Sequence, residues 1–507
     1  MPGALADTLP RAAAPQADRR VIAALLALAT LAAAALRLPF LATQSLWFDE
    51  TYTARVVDAG SLATLWDRIG ASESTPPLYY LLTWAWVHAF GGEGEGALRA
   101  VSALAVVAAV PVAWFALRRF VGACAALAVA ALLAVSPLLT WYALDARAYG
   151  LLVLTGLLSV WACSAVLERA TARRASLWAL AAAAAVWTHW FAGFLVLAEL
   201  VALLWLAPAA RRATLLAAGA IGLAVLPLVG LLREQTGDDR AAFIGDAGLL
   251  DRIEQLVRQF ATGPNVPRSW LEAAALALAL AALAAGTLLT ARRALRAEPD
   301  DRRLAPRDGA RALLAIAGVA LLVPLALAAV GLYDRFNVRN VLFLWPLAAA
   351  LAAPALLRLR AAPLAALLAL GVATSLWTTT DWRYGNTDWR SAFEHLQVRG
   401  PDQPVVAVTP LGQPVAALYL GRSAAGAPLR TRRAWLVVEP ARSPGERALQ
   451  PTNAPLVASL LAAFPNHRET QVHGFRLIAL SASEPVALDP AQLPGATLFP
   501  AIRSPAG

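Results

Sequence analysis

Apolar runs of about 17–23 residues recur along the chain from Val21 to Trp377, each long enough as a helix to cross roughly 30 Å of hydrocarbon. They fall at about 21–41, 98–117, 120–139, 148–167, 175–190, 191–207, 213–232, 269–291, 312–332, 341–357 and 361–378. This pattern predicts an all-α polytopic membrane bundle of about 11 transmembrane helices. The run from Pro76 to Gly91 is shorter and carries Tyr79, Tyr80, Trp84 and Trp86. Counting it as a crossing moves every later Arg-rich gap to the opposite side, so it is read as juxtamembrane or re-entrant. A crossing there, offset by merging 175–207 into one long helix, is the competing arrangement, and counts of 12 or 13 stay open.

Past residue 379 the long apolar runs stop. Short strand-like stretches replace them, such as Val405 to Val408 and Trp435 to Val438, parted by Pro and Gly. The chain therefore divides into an N-terminal tail (1–20), a membrane domain (21–378) with a polar segment at 42–97, and a small soluble α/β domain (379–507). The first apolar run lacks a small-residue cleavage site and reads as a retained span.

Charge sets the orientation. The net charge is +10, and no lysine occurs, so all 43 basic residues are Arg. They concentrate in short gaps at Arg118-Arg119, Arg169 with Arg173-Arg174, Arg211-Arg212, Arg292 to Arg311, and Arg358 with Arg360. An odd number of crossings places all these gaps on one face, which the positive-inside rule makes cytoplasmic. The same reading explains the basic balance without a nucleic-acid partner. A composition 59% hydrophobic and 15% charged excludes a soluble globular protein of this length. Cys124 and Cys163 both lie in apolar runs and read as packing residues. No Gly-rich phosphate loop, zinc-ligand spacing or serine-hydrolase elbow is present.

Chemistry is then expected on the outer side, in segments 42–97, 140–147, 233–268 and 333–340 and in the extracytoplasmic tail after residue 379. Asp49-Glu50 directly follows the first span, and helical spacing places Phe48, Tyr52 and Val56 on one apolar face. A carboxylate held there can take a proton from an acceptor hydroxyl beside a lipid-borne substrate; it can equally be a solvated acid or a helix cap. Glu73 precedes a rigid turn at Pro76-Pro77. In an extended chain Asp145, Arg147 and Tyr149 point the same way, and an Arg fork suits a phosphate, although Arg at a span end often snorkels. His189, near the outer end of its span, fits an anion site or, more often for a lone His, a packing role. Arg335 and Arg339, four apart, can share a helix face, and they break the positive-inside pattern in a way a bound phosphate would offset.

Taken in order, several short pieces resemble the GT-C superfamily of membrane glycosyltransferases, in the bacterial branch related to protein O-mannosyltransferases and lipid A aminoarabinose transferases. They are Asp49-Glu50, Pro76-Pro77-Leu78-Tyr79-Tyr80, Ala97-Leu98-Arg99, Asp145-Ala146-Arg147-Ala148-Tyr149, the His189 region, Arg339-Asn340, and Asp388-Trp389-Arg390 in the tail. Thr75 stands where relatives often carry His, and Asp145 where many carry Glu. The resemblance implies a polyprenyl-phosphate sugar donor, an acceptor glycan, lipid or protein, and inversion at the anomeric carbon. It implies an enzyme of the bacterial inner membrane whose active site faces outside. Catalysis falls to Asp49 and Glu50, and substrate binding to Glu73, Tyr79, Arg99, Asp145, Arg147, Tyr149, His189, Arg335 and Arg339. No cofactor and no metal are expected, although Asp49, Glu50, Glu73 and Asp145 can in principle converge on a cation. A polyprenyl-linked sugar transporter or flippase is the alternative, and a structural role for the tail toward other envelope proteins can coexist with transfer.

Overall fold

The computed structural model describes residues 19–92, 94–237, 243–266, 269–295, 306–359, 361–399, 402–409, 412–440 and 454–501. The expected N-terminal tail lies outside these, except for Arg19 and Arg20. All eleven predicted runs are helical: α1 (Arg19–Ala35), α5 (Glu95–Val121), α6 and α7 (Ala123–Val135, Pro137–Ala143), α8 (Tyr149–Glu168), α9 (Ala172–Thr188), α10 (Ala192–Leu206), α11 and α12 (Arg211–Val225, Leu228–Gly237), α15 (Trp270–Leu295), α16 (Pro306–Ala329), α17 (Leu344–Leu356) and α18 (Ala361–Thr380). Between α1 and α5 lie α2 (Phe48–Val57), α3 (Leu62–Ser72) and α4 (Leu78–Phe90); α13 (Phe243–Asp246) and α14 (Leu249–Thr262) precede α15. Six described helices are long and apolar enough to cross a membrane singly, and eight spans result if each of two bent pairs counts once. The protein is a multi-pass membrane protein. α4 has 13 residues, about 20 Å of helix, and α9 and α10 part at His189 to Phe191.

Two runs read as continuous are broken. Pro137 has no N–H to continue α6, so α7 starts afresh at a 55° angle with Ser136 Oγ accepting from Leu139 N. The carbonyls this break exposes meet Arg37, fully buried beyond α1, which donates to Leu133 O (3.2 Å) and Ala134 O (2.6 Å). Pro227 likewise separates α11 from α12.

Small residues bring the helices together. On α5, Ala103, Val106, Ala109, Val110, Ala113, Ala116 and Leu117 recur every three or four positions and are buried. At Gly286 of α15 a Cβ would lie 1.9 Å from Leu351 O of α17, so only glycine admits that approach. Alanine and glycine are thus a packing device as well as a compositional habit. Within the apolar interior the fully buried Glu199 of α10 accepts from Ser159 Oγ of α8 (2.5 Å) and Trp178 Nε1 of α9 (2.7 Å). The Arg-bearing ends gather, with Arg119 and Arg174 both on Glu168 and Gly309 of α16 against Arg119 O.

The tail carries α19 (Trp389–Arg399), β1 (Val405–Val408), α20 (Gln413–Leu420), β2 (Leu429–Val438), α21 (Ala454–Ala463), β3 (Asn466–Val472), β4 (Phe475–Leu488) and β5 (Ala496–Phe499). Its described strands form one sheet in the order β3-β4-β2-β1-β5, parallel only between β1 and β2. Both faces are covered. Val405 and Ala407 point toward Trp389, Phe393 and Val415 of α19 and α20, whereas Val406 and Val408 point toward Val457, Leu460 and Phe464 at α21.

Candidate active site

The acid pair opens α2, but its two members face opposite environments. Glu50 is fully buried and accepts four hydrogen bonds: Arg99 Nε (2.7 Å) and Ala146 N (2.8 Å) on Oε1, Arg99 Nη2 (2.6 Å) and Trp47 N (3.2 Å) on Oε2. Both oxygens are thus committed to donors, and neither is placed to take a substrate proton. Arg99, equally buried, also donates to the carbonyls of Leu41, Gln44 and Ser45. Glu50 and Arg99 thus brace the start of α2 from behind, both fully buried and paired with each other. Tyr79 is likewise enclosed: its ring is fully buried and its hydroxyl donates to Leu98 O and accepts from Ser102 Oγ.

Asp49 points the other way and stays about one-fifth exposed. Its Oδ2 lies 3.1 Å from Arg339 Nη1, and that guanidinium sits 5.9 Å from the Tyr149 ring. Arg147 stands beside them. Its Nη1 donates to Asp49 O (3.2 Å) and Thr53 Oγ1 (3.4 Å) and pairs with Glu73 at 2.8 Å, while Glu73 also accepts from Tyr80 OH at 2.6 Å. Asp145 accepts from Trp47 Nε1 (3.2 Å), and its other oxygen is buried with no hydrogen-bond partner among the described residues. Burial, with Glu50 and Asp49 nearby, pushes the Asp145 carboxyl up to about 8. His189 is buried behind Tyr149 at 6.0 Å between ring centroids, and its Nδ1 accepts from Phe191 N, so it extends the aromatic wall of the site.

Residues from all four outer segments meet here. The 333–340 segment is anchored by Arg252 of α14, whose guanidinium grips Asp334 (2.6 and 3.1 Å) and donates to Phe336 O. Gln235 of α12 donates to Thr75 O and accepts from Trp190 Nε1. Two local expectations fail. Residues 144–148 are not extended, because Arg147 N turns back onto Asp145 O and Tyr149 already opens α8. Arg335 and Arg339 share no helix face, since Asn337 Oδ1 takes Asn340 N and Arg335 O takes Asn340 Nδ2, diverting the segment from helix. Trp47, Thr53 and Tyr80 also stand at the site; the aromatic flanks and the Pro76–Tyr80 motif point to the two aromatics, and no sequence signal points to Thr53.

Among the described residues no three of His, Cys, Asp and Glu converge as metal ligands. Three of the four acids named for that role pair with arginines, Asp49 with Arg339, Glu50 with Arg99 and Glu73 with Arg147, whereas Asp145 accepts from Trp47 Nε1.

No protein-family profile matches the chain, and no curated protein matches it. Among solved structures it is similar to ArnT from Cupriavidus metallidurans bound to undecaprenyl phosphate, at 15% identity over 92% of this chain and 98% of that one, with a TM-score of 0.43. It is also similar to the oligosaccharyltransferase of Archaeoglobus fulgidus complexed with Zn and sulfate, at 16% identity over 78% of this chain and 57% of that one, with a TM-score of 0.48. The same archaeal enzyme with an inhibitory peptide and a dolichol-phosphate gives 16% identity, coverages of 79% and 59%, and a TM-score of 0.46. At such identities and TM-scores, the functional reading rests on this chain's own side chains.

Proposed function

We propose that the protein is a GT-C-type inverting glycosyltransferase that moves a sugar from a polyprenyl-phosphate donor to an acceptor hydroxyl of a lipid, glycan or protein. The observation that carries this reading is the Asp49 carboxylate, accessible beside Arg339 and Arg147 at the ends of the spans. Glycosyl transfer from a lipid phosphate has a good leaving group. It needs a base for the acceptor hydroxyl and cations for the charge left on the phosphate. Asp49 is the only one of the four acids expected here with both an exposed oxygen and a position on the open side of α2. The fork of Arg339 can hold a carboxylate and a phosphate oxygen together, and Arg147 adds charge while being fixed by Glu73. Tyr149 and His189 close the wall behind them.

Replacing Asp49 with Asn removes the basic lone pair and keeps the size. Transfer from a polyprenyl-phosphate sugar by purified protein should fall about 100-fold or more while folding survives. Transfer at the unmutated rate would remove Asp49 from the reaction. The site is proposed to face outside, away from the Arg-rich gaps at the opposite helix ends. A cysteine placed at Asp489 in the tail should react with an impermeant thiol reagent in intact spheroplasts. Reaction only after lysis would reverse the topology.

A further inference from the structure

The stretch from Leu41 to Trp47, which leads from the first span into α2, has no regular hydrogen bonding of its own, yet each of its first five carbonyls is taken by an arginine. Arg99 of α5 takes Leu41, Gln44 and Ser45. The remaining two, Ala42 (3.0 Å) and Thr43 (2.9 Å), are taken by Arg390, which belongs to the tail. The tail supplies more. Tyr419 OH accepts from Leu46 N at 2.7 Å and donates to Glu95 at 2.9 Å, and Arg390 reaches the same Glu95 oxygen at 3.2 Å. Ser45 Oγ accepts from Trp389 N and donates to Thr387 O. Phe48, immediately before Asp49, packs onto the tail's own apolar core around Trp389 and Val415.

We infer that the soluble tail is a positioning module for the transfer reaction: Arg390 and Tyr419 fix the Leu41–Trp47 segment and thereby set where the Asp49 carboxylate stands. This rests on the reading of Asp49 as the base. A segment without internal hydrogen bonds takes its geometry from whatever satisfies its backbone groups, and here Ala42 O, Thr43 O and Leu46 N are held from outside the membrane domain. Displacement of a reacting group by about 1 Å can lower a rate 100-fold, so losing one anchor out of several should cost less than that. Tyr419 and Arg390 touch no substrate and act through Asp49.

The test uses the full-length protein. Tyr419→Phe keeps the ring and removes both hydrogen bonds. It should lower kcat for transfer about 10-fold with donor KM within about 2-fold, and should speed amide exchange in peptides spanning 41–48. Arg390→Ala should act alike and Arg390→Lys should recover part of the rate, since an ammonium cannot reproduce the fork over two carbonyls. In an Asp49→Asn background the residual rate should not fall further when Tyr419→Phe is added. An equal fractional loss in both backgrounds, or a loss confined to KM, overturns positioning through Asp49. So does unchanged kcat and exchange in Tyr419→Phe while Asp49→Asn is inactive. If Asp49→Asn itself transfers at the unmutated rate, the base assignment fails first, and the inference falls with it.

Discussion

Replacing Glu50 with Gln should damage the protein more than replacing its neighbour Asp49 with Asn, although the two acids are adjacent and look alike in the sequence. Each Glu50 oxygen accepts two hydrogen bonds, one of them from Arg99 in both cases. A glutamine must present its NH2 group to one of the two pairs of donors. With Nε2 in the Oε1 position it faces Arg99 Nε and Ala146 N; turned over, it faces Arg99 Nη2 and Trp47 N. Either way two bonds are lost, one of them charge-assisted, and Arg99 keeps its charge fully buried with no carboxylate. A lost charge-assisted bond is worth about 1.5–3 kcal/mol, and unpairing a buried ion about 3–5 kcal/mol, so a loss near the upper figure is expected. Asp49→Asn breaks one ion pair whose members are each about one-fifth exposed, worth about 1 kcal/mol or less. The assay is thermal unfolding of both variants in detergent, with transfer scored per folded molecule. Glu50→Gln should unfold several degrees lower and lose part of its specific activity, less than Asp49→Asn loses. The reasoning is refuted if Glu50→Gln is as stable as the unmutated protein and loses transfer as Asp49→Asn does.

Arg339→Ala should raise the KM for the lipid-phosphate donor by about 10- to 100-fold, the equivalent of one charge-assisted contact, and Arg339→Lys should recover part of it; unchanged donor kinetics in both would return Arg339 to a structural pairing with Asp49. Asp145 bears on pH. Its carboxyl is raised to about 8 in the folded state, so the fold binds the extra proton between about pH 4 and 8, and stability should decline as pH rises through that window, at up to about 1.4 kcal/mol per unit. Asp145→Asn keeps an acceptor for Trp47 Nε1 and should flatten the decline; melting curves from pH 5 to 9 with the same slope in both proteins would contradict the assignment.

The bundle was legible because crossing a membrane demands long apolar runs, and all eleven proved helical. Breaks were less legible, since Pro137 inside an apolar run is also compatible with an intact kinked helix. In the tail, the stretches at Val405 and Trp435 became paired inner strands because they are apolar on both faces, a property β4 shares from Phe475 to Leu480. Candidate residues were found by type and by side of the membrane, which is why Asp49, Glu73, Asp145, Arg147, Tyr149 and Arg339 come together. Partner choice was hidden. Arg99 meets Glu50 across 49 positions and Arg339 meets Asp49 across 290, and no local spacing encodes such pairs. The grip of Arg390 on residues 42 and 43 was invisible for the same reason. Glu199 is different: a carboxyl within an apolar run is plain in the sequence, but it lies away from the outer segments to which the charge pattern directs the chemistry.

That carboxyl has a history during synthesis. A carboxylate in the middle of an isolated helix raises the cost of entering a bilayer by about 2.5–3.5 kcal/mol. The partners of Glu199, Ser159 on α8 and Trp178 on α9, both precede it in the chain. As the chain emerges from the ribosome, both donors are therefore already made when α10 arrives, and the helix can enter beside waiting hydrogen bonds. A circularly permuted chain that began at α10 would ask the membrane to accept the bare carboxyl first. Its yield should suffer even though every contact of the finished protein remained available.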